Sequence, residues 1–123
     1  MSKAPFRLKP PPKPRLSEND VERQVLDILR LRGYLVLRQQ SGLFKTPDDR
    51  WIRLGEKGIP DYAAVHRLHP GFLLEVKRPG GQLSPDQQNK IQEYRVCHRI
   101  AVAVIDSVEA LSAWLNEHET KNR

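Results

Sequence analysis

Apolar positions along the chain follow two periods, and the switches between them mark its elements. Val21, Val25, Ile28 and Leu29 recur at helical spacing after Ser17, which with Asp20 forms a capping box carrying Asp in place of Glu, and Gly33 supplies a stop after Arg32. Tyr34–Gln39 then reads as a strand, with Tyr34, Leu35, Val36 and Leu37 continuous enough for burial on both faces. Ile59–His66 and Phe72–Lys77 are two further strands joined by the turn Arg67–Gly71; Pro60 has no N–H to donate and belongs at the start or edge of its strand. Ser84, Pro85 and Gln87 make a strong helix start, and Ile91, Tyr94 or Arg95, and His98 continue that helix. Ile100–Ile105 is an unbroken aliphatic run, as a buried parallel strand requires. Asp106 and Glu109 cap a last helix with Val108, Leu111 and Leu115 on its apolar face. The predicted order is α-β-β-β-α-β-α, an α/β fold with a mixed central sheet flanked by helices. It occupies one domain over residues 17–118, with residues 119–123 frayed.

Between the first two strands, Ser41–Lys57 is polar and interrupted by Gly42, Pro47 and Gly55, which predicts a long loop with Trp51–Leu54 as a minor strand. Its Lys45, Arg50, Arg53 and Lys57, interleaved with Phe44 and Trp51, suit a nucleic-acid backbone and its bases; the alternative packs Trp51 against the domain. Arg78, just beyond the third strand, joins the same group of candidates.

Charge changes the picture at the N-terminus. Of the net +6, +5 lies in residues 1–16, which also hold half of the ten prolines and no acid. Such a segment cannot bury a core; it reads as a flexible basic arm that holds phosphates, or else as a solubilising tail. The remainder is nearly balanced, and the chain as a whole favours a polyanionic partner. One cysteine, Cys97, excludes an internal disulfide, fits a reducing compartment and is expected as a small buried residue on a helix. His66-x-x-His69 crosses a turn and Cys97 and His98 are adjacent, which is not zinc-ligand spacing. No apolar run approaches a membrane span and no targeting core opens the chain, so a soluble cytoplasmic protein is expected.

The candidate chemistry lies in Phe72–Lys77. Side chains alternate along a strand, so Glu75 and Lys77 share a face. Taken alone, Glu-x-Lys reads as an exposed cross-strand ion pair. A hairpin symmetric about Leu68, however, places Asp61 directly opposite Glu75, at a Cβ separation of about 5 Å. A register shift of one residue would turn Asp61 away. Opposed carboxylates need a cation between them, and one Lys77 ammonium does not fill their coordination. Mg²⁺ takes one or two carboxylates, keeps several waters and accepts phosphate oxygens. The Val76 carbonyl could add a ligand, and Lys77 could orient water or stabilise developing charge. Glu22 on the first helix, although most helical glutamates are merely solvated, could act through a metal-bound water or a second ion. The implied reaction is phosphodiester hydrolysis.

Gly58-Ile59-Pro60-Asp61 followed by Leu74-Glu75-Val76-Lys77 resembles the PD-(D/E)xK nuclease superfamily, and Leu83-Ser84-Pro85-Asp86-Gln87 resembles its VRR-NUC branch, the virus-type replication–repair nuclease domain. The likeness spans about residues 18–115. It implies a restriction-endonuclease-like α-β-β-β-α-β core. It also implies Asp61 and Glu75 as ligands of Mg²⁺ or Mn²⁺, Lys77 as the catalytic lysine, Glu22 as the helix-borne acid and Gln87 as a site-facing glutamine. Read from the residues themselves, Gln87 is only a capping acceptor. Gln39-Gln40-Ser41-Gly42 departs from the family, where Asn often precedes Ser-Gly. Stand-alone members of the branch are similar to Holliday-junction resolvases, which implies a homodimer acting on branched DNA. A flap or other repair nuclease of the same fold, and a DNA-binding module without chemistry, are the alternatives.

Overall fold

The computed structural model describes residues 16–39 and 42–121, and of positions 42–44, 53 and 54 the backbone alone. The basic arm, apart from Leu16, lies outside the described residues. Chain order is α1 (Glu18–Leu31), β1 (Leu35–Arg38), β2 (Gly42–Lys45), β3 (Trp51–Leu54), β4 (Tyr62–Val65), β5 (Phe72–Val76), α2 (Pro85–Val96), β6 (Val102–Ile105) and α3 (Val108–Lys121). Four strands form a mixed sheet in the order β1-β4-β5-β6, antiparallel except for the parallel β5–β6 pair. The fold is thus α/β, with a mixed sheet flanked by helices.

Pairing and burial define the two faces. Tyr62 pairs with Leu74 and Ala64 with Phe72, and these four, with Val76, Ala103 and Ile105, are buried against Val21, Val25 and Leu29 of α1 and Leu111 and Leu115 of α3. The alternate positions, Ala63, Leu73, Glu75, Val102 and Val104, form the other face, and there α2 packs over β6 with Ile91 buried. That single helix does not reach β1. Leu35 and Leu37 are therefore 60% and 48% exposed, and the expected burial of β1 on both faces gives way to a one-sided edge strand.

Local chemistry sets the element ends. Ser17 and Asp20 exchange backbone and side-chain hydrogen bonds in a complete capping box, and Gly33 takes φ +89° after the Arg32 cap, in the left-handed region that glycine occupies without strain. At α3 the cap is Ser107 rather than Asp106: its hydroxyl accepts from the Ala110 N–H. That helix also continues past the predicted boundary at 118 to Lys121. Glu119 accepts from Arg32 at 2.7 Å and from the Tyr34 hydroxyl at 2.9 Å, so this end is tied to α1 rather than frayed, while residues 122 and 123 lie outside the described residues. Cys97 caps the C-terminus of α2 and is exposed, against the expectation of burial, and His98 lies beyond the helix. Lastly, in the segment expected as a long loop the minor strand expected at Trp51–Leu54 is present as β3, and it pairs with an additional strand, β2, through a turn closed by Thr46, Asp48 and Arg50, with Asp49 at φ +67°.

Candidate active site

The β4–β5 register decides whether the acids meet. The pairs Tyr62–Leu74, Ala63–Leu73 and Ala64–Phe72 are those of a hairpin symmetric about Leu68. One step further, Asp61 faces Glu75 and Pro60 faces Val76. The Asp61 N–H donates to Glu75 Oε2 at 3.2 Å, and the Val76 N–H donates in return to the Asp61 carboxylate. Proline has no N–H for the Val76 carbonyl opposite it, so the ladder ends at the site.

Glu75 is 2% exposed, which rules out the surface ion pair that Glu-x-Lys suggests by itself. Its other oxygen, Oε1, accepts from Gln87 Nε2 at 2.8 Å and lies 3.5 Å from Lys77 Nζ, whose side chain is 15% exposed. Burial, and then the charge of Asp61, push the Glu75 carboxyl up to about 7, with Lys77 opposing them. Burial likewise raises Asp61, and the charges of Glu18 and Glu22 add to it. Both acids are thus held where their charge is disfavoured, a pattern concentrated at functional sites.

Two features aim the glutamine and the loop. The Gln87 carbonyl Oε1 accepts from the Ser84 N–H at 2.9 Å within the capping box of α2, which leaves the amide nitrogen directed at Glu75. The capping role and the site-facing role thus belong to one side chain. Gly58, at φ +83°, lets the chain pass so close to this helix start that a Cβ would sit 2.5 Å from the Asp86 carbonyl oxygen. Lys57–Asp86 at 3.0 Å and Lys90–Glu56 at 2.6 Å fasten the same loop to α2. Asp61 is delivered to Glu75 by this crossing.

Glu22 takes a different position. It lies on α1 over the Tyr62 face, and Glu22 Oε1 accepts a short hydrogen bond from the Tyr62 hydroxyl. Burial, then this bond, raise Tyr62 to about 12. The charge of Glu22 is felt at Asp61, but among the described residues Glu22 makes no hydrogen bond or ion pair to Asp61, Glu75, Lys77 or Gln87. Two residues that sequence reasoning passed over belong to this surround. Glu18 has a legible signal, since it stands one helical turn before Glu22, whereas Tyr62 has none beyond adjacency to Asp61.

The donors fit a hard divalent ion. Asp61 and Glu75 supply the one or two carboxylates that Mg²⁺ or Mn²⁺ takes from protein when water and phosphate complete its shell. Burial, and then neighbouring negative charge, raise both carboxyls above their ordinary range, and Lys77 opposes this only in part. Among the described residues no three His, Cys, Asp or Glu side chains converge on one point. Glu22, expected in that set, is drawn to Tyr62 instead.

Of the predicted nucleic-acid residues, Lys45, Arg50 and Trp51 gather at the turn end of the β2–β3 hairpin, where Lys45 pairs with Trp51, while Lys57 and Arg78 lie in other loops. Lys45, Arg50 and Lys57 each pair with an acid, Asp49, Asp48 and Asp86 respectively, and all are exposed. Trp51 is 65% exposed rather than packed on the domain. Arg78 is exposed and makes no ion pair among the described residues; the Arg53 side chain lies outside them. No helix among the described residues is long and apolar enough to cross a membrane. No family model matches the chain, and no curated protein matches it.

Proposed function

We propose that the protein is a Mg²⁺- or Mn²⁺-dependent endodeoxyribonuclease of the PD-(D/E)xK type, in its VRR-NUC branch, selective for branched DNA and acting as a homodimer. The observation that carries this reading is the buried Glu75 beside half-buried Asp61, with Lys77 and Gln87 on the Glu75 carboxylate. The sheet order and the helix over each face are compatible with a restriction-endonuclease-like α-β-β-β-α-β core, with the β2–β3 hairpin inserted after β1.

A bound divalent ion would supply Lewis acidity toward a phosphoryl oxygen and a water acidic enough to attack at neutral pH. Asp61 and Glu75 would hold it. Gln87 fixes the Glu75 carboxylate from one side and leaves Asp61 as the more adaptable donor. Lys77, a mobile point charge at the rim, meets the charge that develops on the phosphate oxygens. Glu22, with Tyr62, stands beside the pair as a negatively charged wall. Two such sites related by a two-fold axis could cut the two strands of a four-way junction.

Cleavage of a four-way junction, a 5′ flap and linear duplex, each with Mn²⁺ and with EDTA, tests the reading. Wild type should cut branched substrate only with metal, and Asp61→Ala should lose at least about a hundredfold. Equal rates for the two proteins on every substrate would sink the assignment. Binding without cleavage would identify a DNA-binding module instead.

A further inference from the structure

Beside the acid pair, a cleft of about 290 Å³ runs along α1 and ends on the floor of the sheet at Arg38 and Tyr62. Its α1 wall carries Glu22, Arg23, Asp27 and Arg30. From Asn19 to Arg30, the two ends of that wall, the helix rises about 16 Å, the scale of several nucleotides of backbone rather than of one small anion. The pairing of Arg38 with Tyr62 puts this arginine on the α1 face, next to the Glu22–Tyr62 hydrogen bond and one residue from Asp61. Arg38 is exposed and makes no ion pair among the described residues, and its charge is felt at the Tyr62 hydroxyl.

The other cations of the cleft are loosely held. Arg30 lies 4.0 Å from Asp27 and Arg23 3.4 Å from Asp20, both pairs within one helix and largely exposed, so neither holds its cation strongly against a competing anion. The lining sets three arginines, Arg23, Arg30 and Arg38, against two acids, Glu22 and Asp27, a balance of +1. A guanidinium fork matches phosphate oxygens.

We infer that Arg38, with Arg30 and Arg23 along α1, binds backbone phosphates of the nucleic-acid strand beyond the one being cut. This rests on the nuclease reading above and adds to it the path of the strand. The strand leaves the Asp61–Glu75 pair past Glu22 and follows α1. Arg38 acts in binding and in placing the strand; it does not touch the reacting phosphate.

The test uses the full chain carrying Asp61→Ala, in EDTA, with a fluorescein-labelled four-way junction and anisotropy measured across a KCl series. Adding Arg38→Ala should weaken binding by about tenfold at moderate salt. It should also reduce the slope of log affinity against log salt by about 0.9, the loss of one phosphate contact. Arg38→Lys should restore the slope, because it keeps the charge. Adding Arg30→Ala to Arg38→Ala should lower the slope again. An Arg38→Ala protein with the parent's affinity and slope overturns the inference while leaving the nuclease reading intact. So does weaker binding at an unchanged slope, which would mark a structural role. A parent that binds no DNA overturns the nuclease reading and the inference together.

Discussion

Replacing Glu75 by Gln removes a buried carboxylate whose charge the fold disfavours, and its effect on stability can be worked through. In the unfolded chain the carboxyl titrates near 4.5; in the fold, burial and Asp61 raise it to about 7. Below pH 4.5 both states are protonated and this group contributes no pH dependence. Between 4.5 and 7 the unfolded chain releases the proton while the fold retains it. The folded state then binds more protons, so stability falls as pH rises. Above 7 the full cost is present, about 3 kcal/mol for a rise of this size. Metal-free wild type should therefore lose about 3 kcal/mol relative to Glu75→Gln between pH 4.5 and pH 8, while the raised Asp61, common to both proteins, weakens each of them as pH rises. Urea unfolding in EDTA at pH 5, 6, 7 and 8 measures the difference. Curves for the two proteins that run parallel within about 1 kcal/mol would refute the buried, acid-coupled carboxylate. At pH 8, Mn²⁺ at a hundred times its dissociation constant should return about 2.7 kcal/mol to wild type. It should return much less to Glu75→Gln.

Two further predictions concern the supports of the site. Gly58→Ala places a Cβ against the Asp86 carbonyl and forces a left-handed φ on an L residue, so unfolding free energy should drop by at least about 1–2 kcal/mol; a drop below about 0.5 kcal/mol would show that the loop shifts freely there. Tyr62→Phe deletes the donor to Glu22 and should cost about 1–3 kcal/mol in the same urea assay, and an unchanged midpoint would show that the bond contributes no net stability.

Much of this was legible from the chain because its local rules agree with the tertiary result. Capping chemistry announced α1 and α2, and a hairpin symmetric about Leu68 offered the register that brings Asp61 toward Glu75, one that a slip of a single residue would invert and that the β4–β5 pairing bears out. The resemblance added Gln87, whose dual role arises because a capping glutamine has a carbonyl for the helix and an amide to spare. Other features depended on which element lies over which face. The exposure of Leu35 and Leu37 follows from α2 covering β6 and stopping short of β1. Pairing of β2 with β3 overrode a composition rich in turn residues, because backbone hydrogen bonds form between strands whatever the polarity of their side chains.

The acid pair marks the division most clearly. Sequence alone determined that Glu75 and Lys77 share a strand face, because alternation is a property of the covalent chain, and it offered Asp61 as their neighbour in one of two registers. Only the tertiary structure decided that Glu75 is buried, that Gln87 and Lys77 share its Oε1, and that Glu22 bonds to Tyr62 instead of completing a three-acid cage. Burial and side-chain partners are set by how helices pack across a sheet, and that packing depends on contacts between segments far apart in the chain.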